Sequence, residues 1–105
     1  MTQTLTKAEI ESWLTDRSDW RYDVEKQALC REFRFGDFSQ AFAFMTRVAL
    51  AAEKADHHPD WSNSYNRVSV CVSTHSAGGV TGQDIALAEA MDAAFGDYSA
   101  GLPVR

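Results

Sequence analysis

All three histidines of the chain lie in one stretch, Glu53 to Asp84. His57 and His58 are adjacent, and His75 follows His58 by 17 residues. Four carboxylates (Glu53, Asp56, Asp60 and Asp84) are interleaved with them, and Pro59 restricts the backbone just after the pair. Imidazole is the side chain that ordinarily changes charge nearest neutral pH, so three in one segment point to acid–base chemistry or to a metal. A metal fits poorly: there is no His-x-His or His-x-x-x-His pair, and adjacent histidines rarely ligate one ion together. Structural histidines with satisfied hydrogen bonds at a loop corner are the bland alternative. Metal-free general acid–base catalysis is the reading that uses the interleaved acids, since Asp56 or Glu53 beside a ring favours its charged form. Covalent catalysis has little support, because no nucleophile motif surrounds Ser73, Ser76 or Cys71.

The rest of the chain must position this segment. At 105 residues it is read as one domain, residues 1–105. Thr6-x-x-Glu9 fits a capping box at the start of a first helix, with Ile10, Trp13 and Leu14 as its apolar stripe and an end near Thr15 to Arg17. Residues 19–35 read as two strands joined by a loose turn at Glu25-Lys26-Gln27. Arg31 interrupts the second apolar series, so one end of that strand is expected to face solvent or a partner. Trp20 is either core or the wall of a ligand site, with core favoured.

A long helix follows Gly36. Asp37 or Ser39 caps it, and it runs to Lys54 or Ala55, about 27 Å at the helical rise. Phe38, Phe42, Met45, Ala49 and Ala52 make one apolar stripe; Phe44, Val48 and Ala51 make a second. Two stripes predict that one faces the sheet and the other a second subunit. Glu53 stands one turn before His57, at a spacing that lets the side chains meet. Trp61 to Asn66 reads as a polar loop. Val68, Val70 and Val72 then alternate with Ser69, Cys71 and Ser73 in a third strand that ends at Thr74 and His75. Thr81 caps a last helix with Asp84 at its third position. Ile85, Ala88, Met91 and Phe95 form the buried stripe, Gly96 terminates it, and a loose tail begins at Tyr98.

Composition sets the outer limits. The net charge of −5, with scattered Lys and Arg, argues against broad nucleic-acid binding. There is no membrane-length apolar run and no apolar signal core at the N-terminus, so a cytoplasmic protein is expected. Cys30 and Cys71 have no metal-like spacing and are expected to be two free thiols.

Four segments together carry a family resemblance. They are Glu53-Lys54-x-Asp56-His57-His58-Pro59, Trp61-x-Asn63-x-Tyr65-Asn66-x-Val68, Ser73-Thr74-His75-x-x-x-Gly79 with Asp84, and the helical run Phe42-x-Phe44-Met45-Thr46-Arg47-Val48-Ala49-Leu50. The chain resembles the pterin-4a-carbinolamine dehydratases over about residues 20–95, while the first helix matches only in pattern. The resemblance implies an α+β fold, a four-stranded antiparallel sheet with three helices packed on one face. Periodicity accounts for three of the strands; the fourth is sought near Leu102.

The resemblance also implies an enzyme that dehydrates 4a-hydroxytetrahydropterin to quinonoid dihydropterin in tetrahydrobiopterin recycling, with no metal and no organic cofactor. His57, His58 and His75 match the catalytic positions, with His58 and His75 as the main proton-transfer groups. Asp56, Ser73, Thr74 and Ser76 match pterin-binding segments. Glu53 and Asp84 are candidates to orient imidazoles, and Trp20 and Trp61 to wall the flat ring. Partners implied are the pterin and further copies of the chain, as homodimer or homotetramer through the long helix 37–55 and a sheet edge. The alternative function is a protein-binding module, a dimerisation cofactor or transcriptional coactivator with a regulatory protein as partner.

Overall fold

A computed structural model describes residues 3–99. The first helix, α1 (Lys7–Leu14), opens on the expected capping box: the Thr6 hydroxyl accepts from the Glu9 amide at 3.1 Å, and the Glu9 carboxylate accepts from the Thr6 amide at 2.8 Å. Strands β1 (Arg21–Asp23) and β2 (Ala28–Arg34) form a hairpin whose turn is held by the Lys26 amide on the Asp23 carboxylate, which depresses the proton affinity of that acid. The long helix α2 (Phe38–Ala55) is capped by Asp37, which accepts from the Gln40 amide. Then come β3 (Asp60–Ser64), β4 (Arg67–Val72), a 3-10 turn at His75–Ala77 and the helix α3 (Gly82–Ser99).

The four strands make one antiparallel sheet in the order β1-β2-β4-β3. The alternation of β4 decides its two faces. Val68, Val70 and Val72 are fully buried beneath the helices with Leu29 and Phe33 of β2, while Ser69 and Cys71 point to the open face. Phe44, Val48 and Ala52 of α2 and Leu87, Ala88 and Met91 of α3 close the core from above, and Ile10 of α1 joins them. This is the expected α+β fold. No helix among the described residues is long and apolar enough to cross a membrane.

Several local expectations are corrected. The fourth strand is β3, where a loop was expected; Leu102 lies outside the described residues. The strand is polar because it is an edge: Asp60, Ser62 and Ser64 face outward, and only Trp61 and Asn63 turn toward the core side. Tyr65, left-handed at φ 50°, makes the tight turn into β4, and the Asn63 amide braces it on the Tyr65 and Arg67 carbonyls.

Arg31 faces inward. Its guanidinium lies over the Phe33 and Phe95 rings, 4.3 and 5.0 Å from their centroids, and bonds Asp92 at 2.8 Å. The two stripes of α2 are also partitioned differently. Ala41, Phe44, Val48 and Ala52 are buried, whereas Phe38, Phe42, Ala49, Leu50 and Ala51 are exposed.

Gly96 does not end α3. The helix continues to Ser99, and past the glycine Asp97 bonds Arg47 of α2 at 2.7 Å while Tyr98 packs on Phe35. Cys30 and Cys71 are not free thiols. They face each other across β2 and β4 with Cα atoms 4.1 Å apart and are joined as a disulfide.

Candidate active site

The end of α2 decides where the two adjacent histidines go. Asp56 adopts the left-handed conformation (φ 52°, ψ 42°), and its amide turns back to the Ala52 and Glu53 carbonyls. The His57 amide also returns to the Ala52 carbonyl, at 3.0 Å. This left-handed close reverses the chain within one residue, and an aspartate tolerates it better than most side chains. His57 is carried toward the N-terminus of α3, while His58 is left over the last turn of α2.

Each histidine meets its own carboxylate. His57 Nε2 lies 2.6 Å from Asp84 Oδ1, His58 Nε2 2.8 Å from Glu53 Oε1, and His75 Nε2 3.6 Å from Asp60 Oδ2. Glu53 therefore serves His58, not His57 as the helical spacing suggested. The surroundings differ sharply. The His57 and Asp84 side chains are 11% and 0% exposed, those of His58 and Glu53 56% and 80%, and those of His75 and Asp60 84% and 76%.

Asp84 can be buried because its lone pairs are filled. Besides His57, its Oδ2 accepts from the Thr74 hydroxyl at 2.8 Å and from the Thr81 amide at 2.8 Å. Thr81 is the residue before α3, so this aspartate also closes the helix N-terminus, where a negative side chain is favoured by the free amides and the helix dipole. The same carboxylate thus ends one helix and holds the ring that leaves another.

The structure gathers the other predicted residues unevenly. Thr74 belongs to the buried network around Asp84, so its hydroxyl is committed within the protein. Ser73 donates to the Gln27 carbonyl at 2.9 Å and ties β4 to the first hairpin. His75, Asp60, Trp61 and Ser73 line one groove of about 880 Å³ over the open face of the sheet. His57 instead lines a smaller groove of about 320 Å³ with Ala51, Ala55, Gln83 and Leu87 of α2 and α3. Asp56 and Ser76 are exposed at their turns.

Trp20 is not brought to the histidines. It is 3% exposed in the core, donates through Nε1 to Asp92 at 2.9 Å, and packs edge-on against Trp13 and Phe33. Burial holds the Asp92 carboxyl above its usual range, against the opposing pull of Trp20 and Arg31. Two members of the constellation had no site role in the sequence reading: Asp60, noted only among the interleaved carboxylates, reaches His75, and Thr81, read only as a helix cap, donates its amide to Asp84. The pairing of Asp60 with His75 follows from β3, whose first residue Asp60 is. Among the described residues no three histidine, cysteine, aspartate or glutamate side chains converge as metal ligands would.

Comparison with known proteins places these features in a wider set. The family model described as pterin 4 alpha carbinolamine dehydratase matches residues 3–94, which takes in α1 as well as the histidine segments. A Rhodospirillum rubrum protein named provisionally as a pterin-4-alpha-carbinolamine dehydratase is 51% identical over 96 residues, covering 91% of this chain and all of that one. A Mesorhizobium japonicum protein with the same provisional name is 54% identical over 94 residues, covering 90% and 96%. The crystal structure of a transcriptional coactivator/pterin dehydratase from Brucella melitensis superposes with a TM-score of 0.86 at 47% identity, covering 90% of this chain and 100% of that one.

Proposed function

The chain belongs to the pterin 4 alpha carbinolamine dehydratase family, and from that premise we propose that it converts 4a-hydroxytetrahydropterin to quinonoid dihydropterin and water by histidine acid–base catalysis. The C4a–oxygen bond breaks as an acid delivers a proton to the departing hydroxyl, and a base removes a ring-nitrogen proton. One proton is given and one taken, so the enzyme returns to its starting state after exchange with solvent. His58 and His75 are the proton-transfer groups of this reading, and His57 assists or binds. Each such transfer typically contributes about 10² to 10⁴ in rate. The cycle served is the return of a spent tetrahydropterin to its reducing enzyme after an aromatic hydroxylation.

The observation that carries the reading is the pairing of three imidazoles with three separate carboxylates at the junctions around β3 and β4. The two rings assigned to proton transfer are the two more exposed to solvent, at 56% and 84%. The test is quinonoid dihydropterin absorbance with the carbinolamine generated in situ. Wild type is expected to accelerate the spontaneous dehydration, and His58→Ala and His75→Ala to remove most of that gain while remaining folded. Folded wild type that does no better than buffer would overturn it.

A second reading, as a protein-binding module, rests on a different surface. Phe38, Phe42 and Leu50 stand 47%, 57% and 68% exposed on the outer face of α2. Single exposed apolar residues are ordinary, but three on one helix suit an interface between copies or with a regulatory protein. Sedimentation should give a dimer or tetramer that Phe42→Asp dissociates. A monomeric wild type would remove the self-association half of this reading.

A further inference from the structure

The polar network beneath His57 has a direction that can be worked out atom by atom. An ionised carboxylate only accepts, so the Thr74 hydroxyl spends its one proton on Asp84 Oδ2 at 2.8 Å. The Thr74 and Thr81 hydroxyl oxygens are also 2.8 Å apart, and with the Thr74 proton committed the donor there is Thr81. Thr81 Oγ1 in turn accepts from the Gln83 amide at 3.2 Å. The chain therefore runs one way: Gln83 amide to Thr81 hydroxyl, Thr81 hydroxyl to Thr74 hydroxyl, Thr74 hydroxyl to Asp84. Both threonines are buried, at 0% and 5% exposure, so water does not substitute for either proton.

The consequence falls on His57. The Thr74 hydroxyl and the Thr81 amide together fill Oδ2 and leave Oδ1 aimed at Nε2, 2.6 Å away. A carboxylate oxygen in that position requires a proton on Nε2. We propose that the Thr74–Thr81 hydroxyl pair is a positioning device that fixes Asp84 and thereby holds His57 as its Nε2–H tautomer, leaving Nδ1 as the one basic atom of the ring. Thr74 then acts through Asp84 instead of touching the pterin. The part of this that concerns turnover rests on the dehydratase reading; the part that concerns the tautomer does not.

The test joins histidine-ring ¹⁵N NMR to steady-state dehydration kinetics on the full chain. In wild type the His57 ring should show a protonated Nε2 and an unprotonated Nδ1. Thr74→Val should mix the tautomers and lower kcat about tenfold, the lower end of the loss seen when the hydrogen-bond partner behind a metal-bound histidine is removed. KM should stay put. Thr74→Ser, which keeps the hydroxyl, should restore both readouts. Thr81→Val retains the Thr81 amide on Asp84, so it should move both in the same direction but less, and it is read alone if Thr74→Val fails to fold.

A wild-type tautomer together with wild-type kcat in Thr74→Val would overturn the proposal. So would a raised KM at unchanged kcat, which marks direct substrate contact. A locked tautomer in a wild type that does not speed dehydration would uphold the positioning device while removing the dehydratase reading.

Discussion

His57 and His58 are neighbours in the chain, yet they illustrate two different uses of a histidine–carboxylate pair. The His57–Asp84 pair lies where α2 meets α3, with an acid that has no exposed surface and a ring that reaches only the edge of a groove. The His58–Glu53 pair has a similar separation, 2.8 Å, but lies in solvent, as does His75 with Asp60. At equal spacing, unit charges attract several times more strongly at an effective protein dielectric than in water. Exposed pairs also lose side-chain entropy and are screened by salt, so their median worth is about 0–1 kcal/mol. The buried pair therefore sets geometry. The two exposed pairs leave most of their rings' surface in contact with solvent. A site that must both hold and move protons needs both kinds.

That contrast can be broken most forcefully at Asp84. Asp84→Ala removes the acceptor of His57, of the Thr74 hydroxyl and of the Thr81 amide at once. A loss of about 3 kcal/mol or more is expected from orphaning buried donors, together with the cap of α3. Thermal or urea unfolding reads it; a loss near that of a surface substitution would mean that the network is rebuilt by water.

A second carboxylate on the same helix sharpens the comparison through pH. Asp92 is less deeply sealed, and its proton affinity is raised chiefly by burial. Between the ordinary value of 3.8 and its raised folded value, the native state holds more of this proton than the unfolded chain does. The contribution of Asp92 to stability should therefore be greatest below that window and fall as pH rises through it. Urea midpoints taken across mildly acidic pH should show this slope, and Asp92→Asn should flatten it. An unchanged slope in the variant would assign the effect elsewhere.

The smallest effect is expected at the exposed pairs. Glu53→Ala and Asp60→Ala should each change stability by no more than about 1 kcal/mol. Urea denaturation of both variants gives the number. A loss at Glu53 comparable to that at Asp84 would erase the distinction between the two kinds of pair.

Much of this arrangement was legible in residue order, and the exceptions share a cause. Capping is local chemistry: Thr6 and Thr81 cap where the sequence puts them, and of the two candidates for the long helix, Asp37 and Ser39, Asp37 is the cap. The valine alternation of β4 is equally local. β3 was hidden because an edge strand of Asp, Ser and Asn has no apolar period to read; its partner β4 makes it a strand. Arg31 looked outward because a cation interrupts an apolar series, and partners distant in sequence, chiefly Asp92, 61 residues away, and the Phe95 ring, explain its burial. Glu53 was assigned to the wrong histidine because the helical spacing was carried one residue past the left-handed Asp56. Cys30 and Cys71 looked free because cross-strand register, not spacing, brings them together. The interleaving of acids with histidines was visible from the outset; which acid serves which ring required the fold.

The most direct measurement is a histidine-ring NMR titration of the wild-type protein with a reduced pterin that cannot lose water. The His58 and His75 ring signals should move together along one saturation curve, with His57 keeping its proton on Nε2. Ring signals that stay still at saturating pterin, or His58 and His75 responding with different affinities, would contradict the proposed sharing of acid–base work between the two exposed pairs.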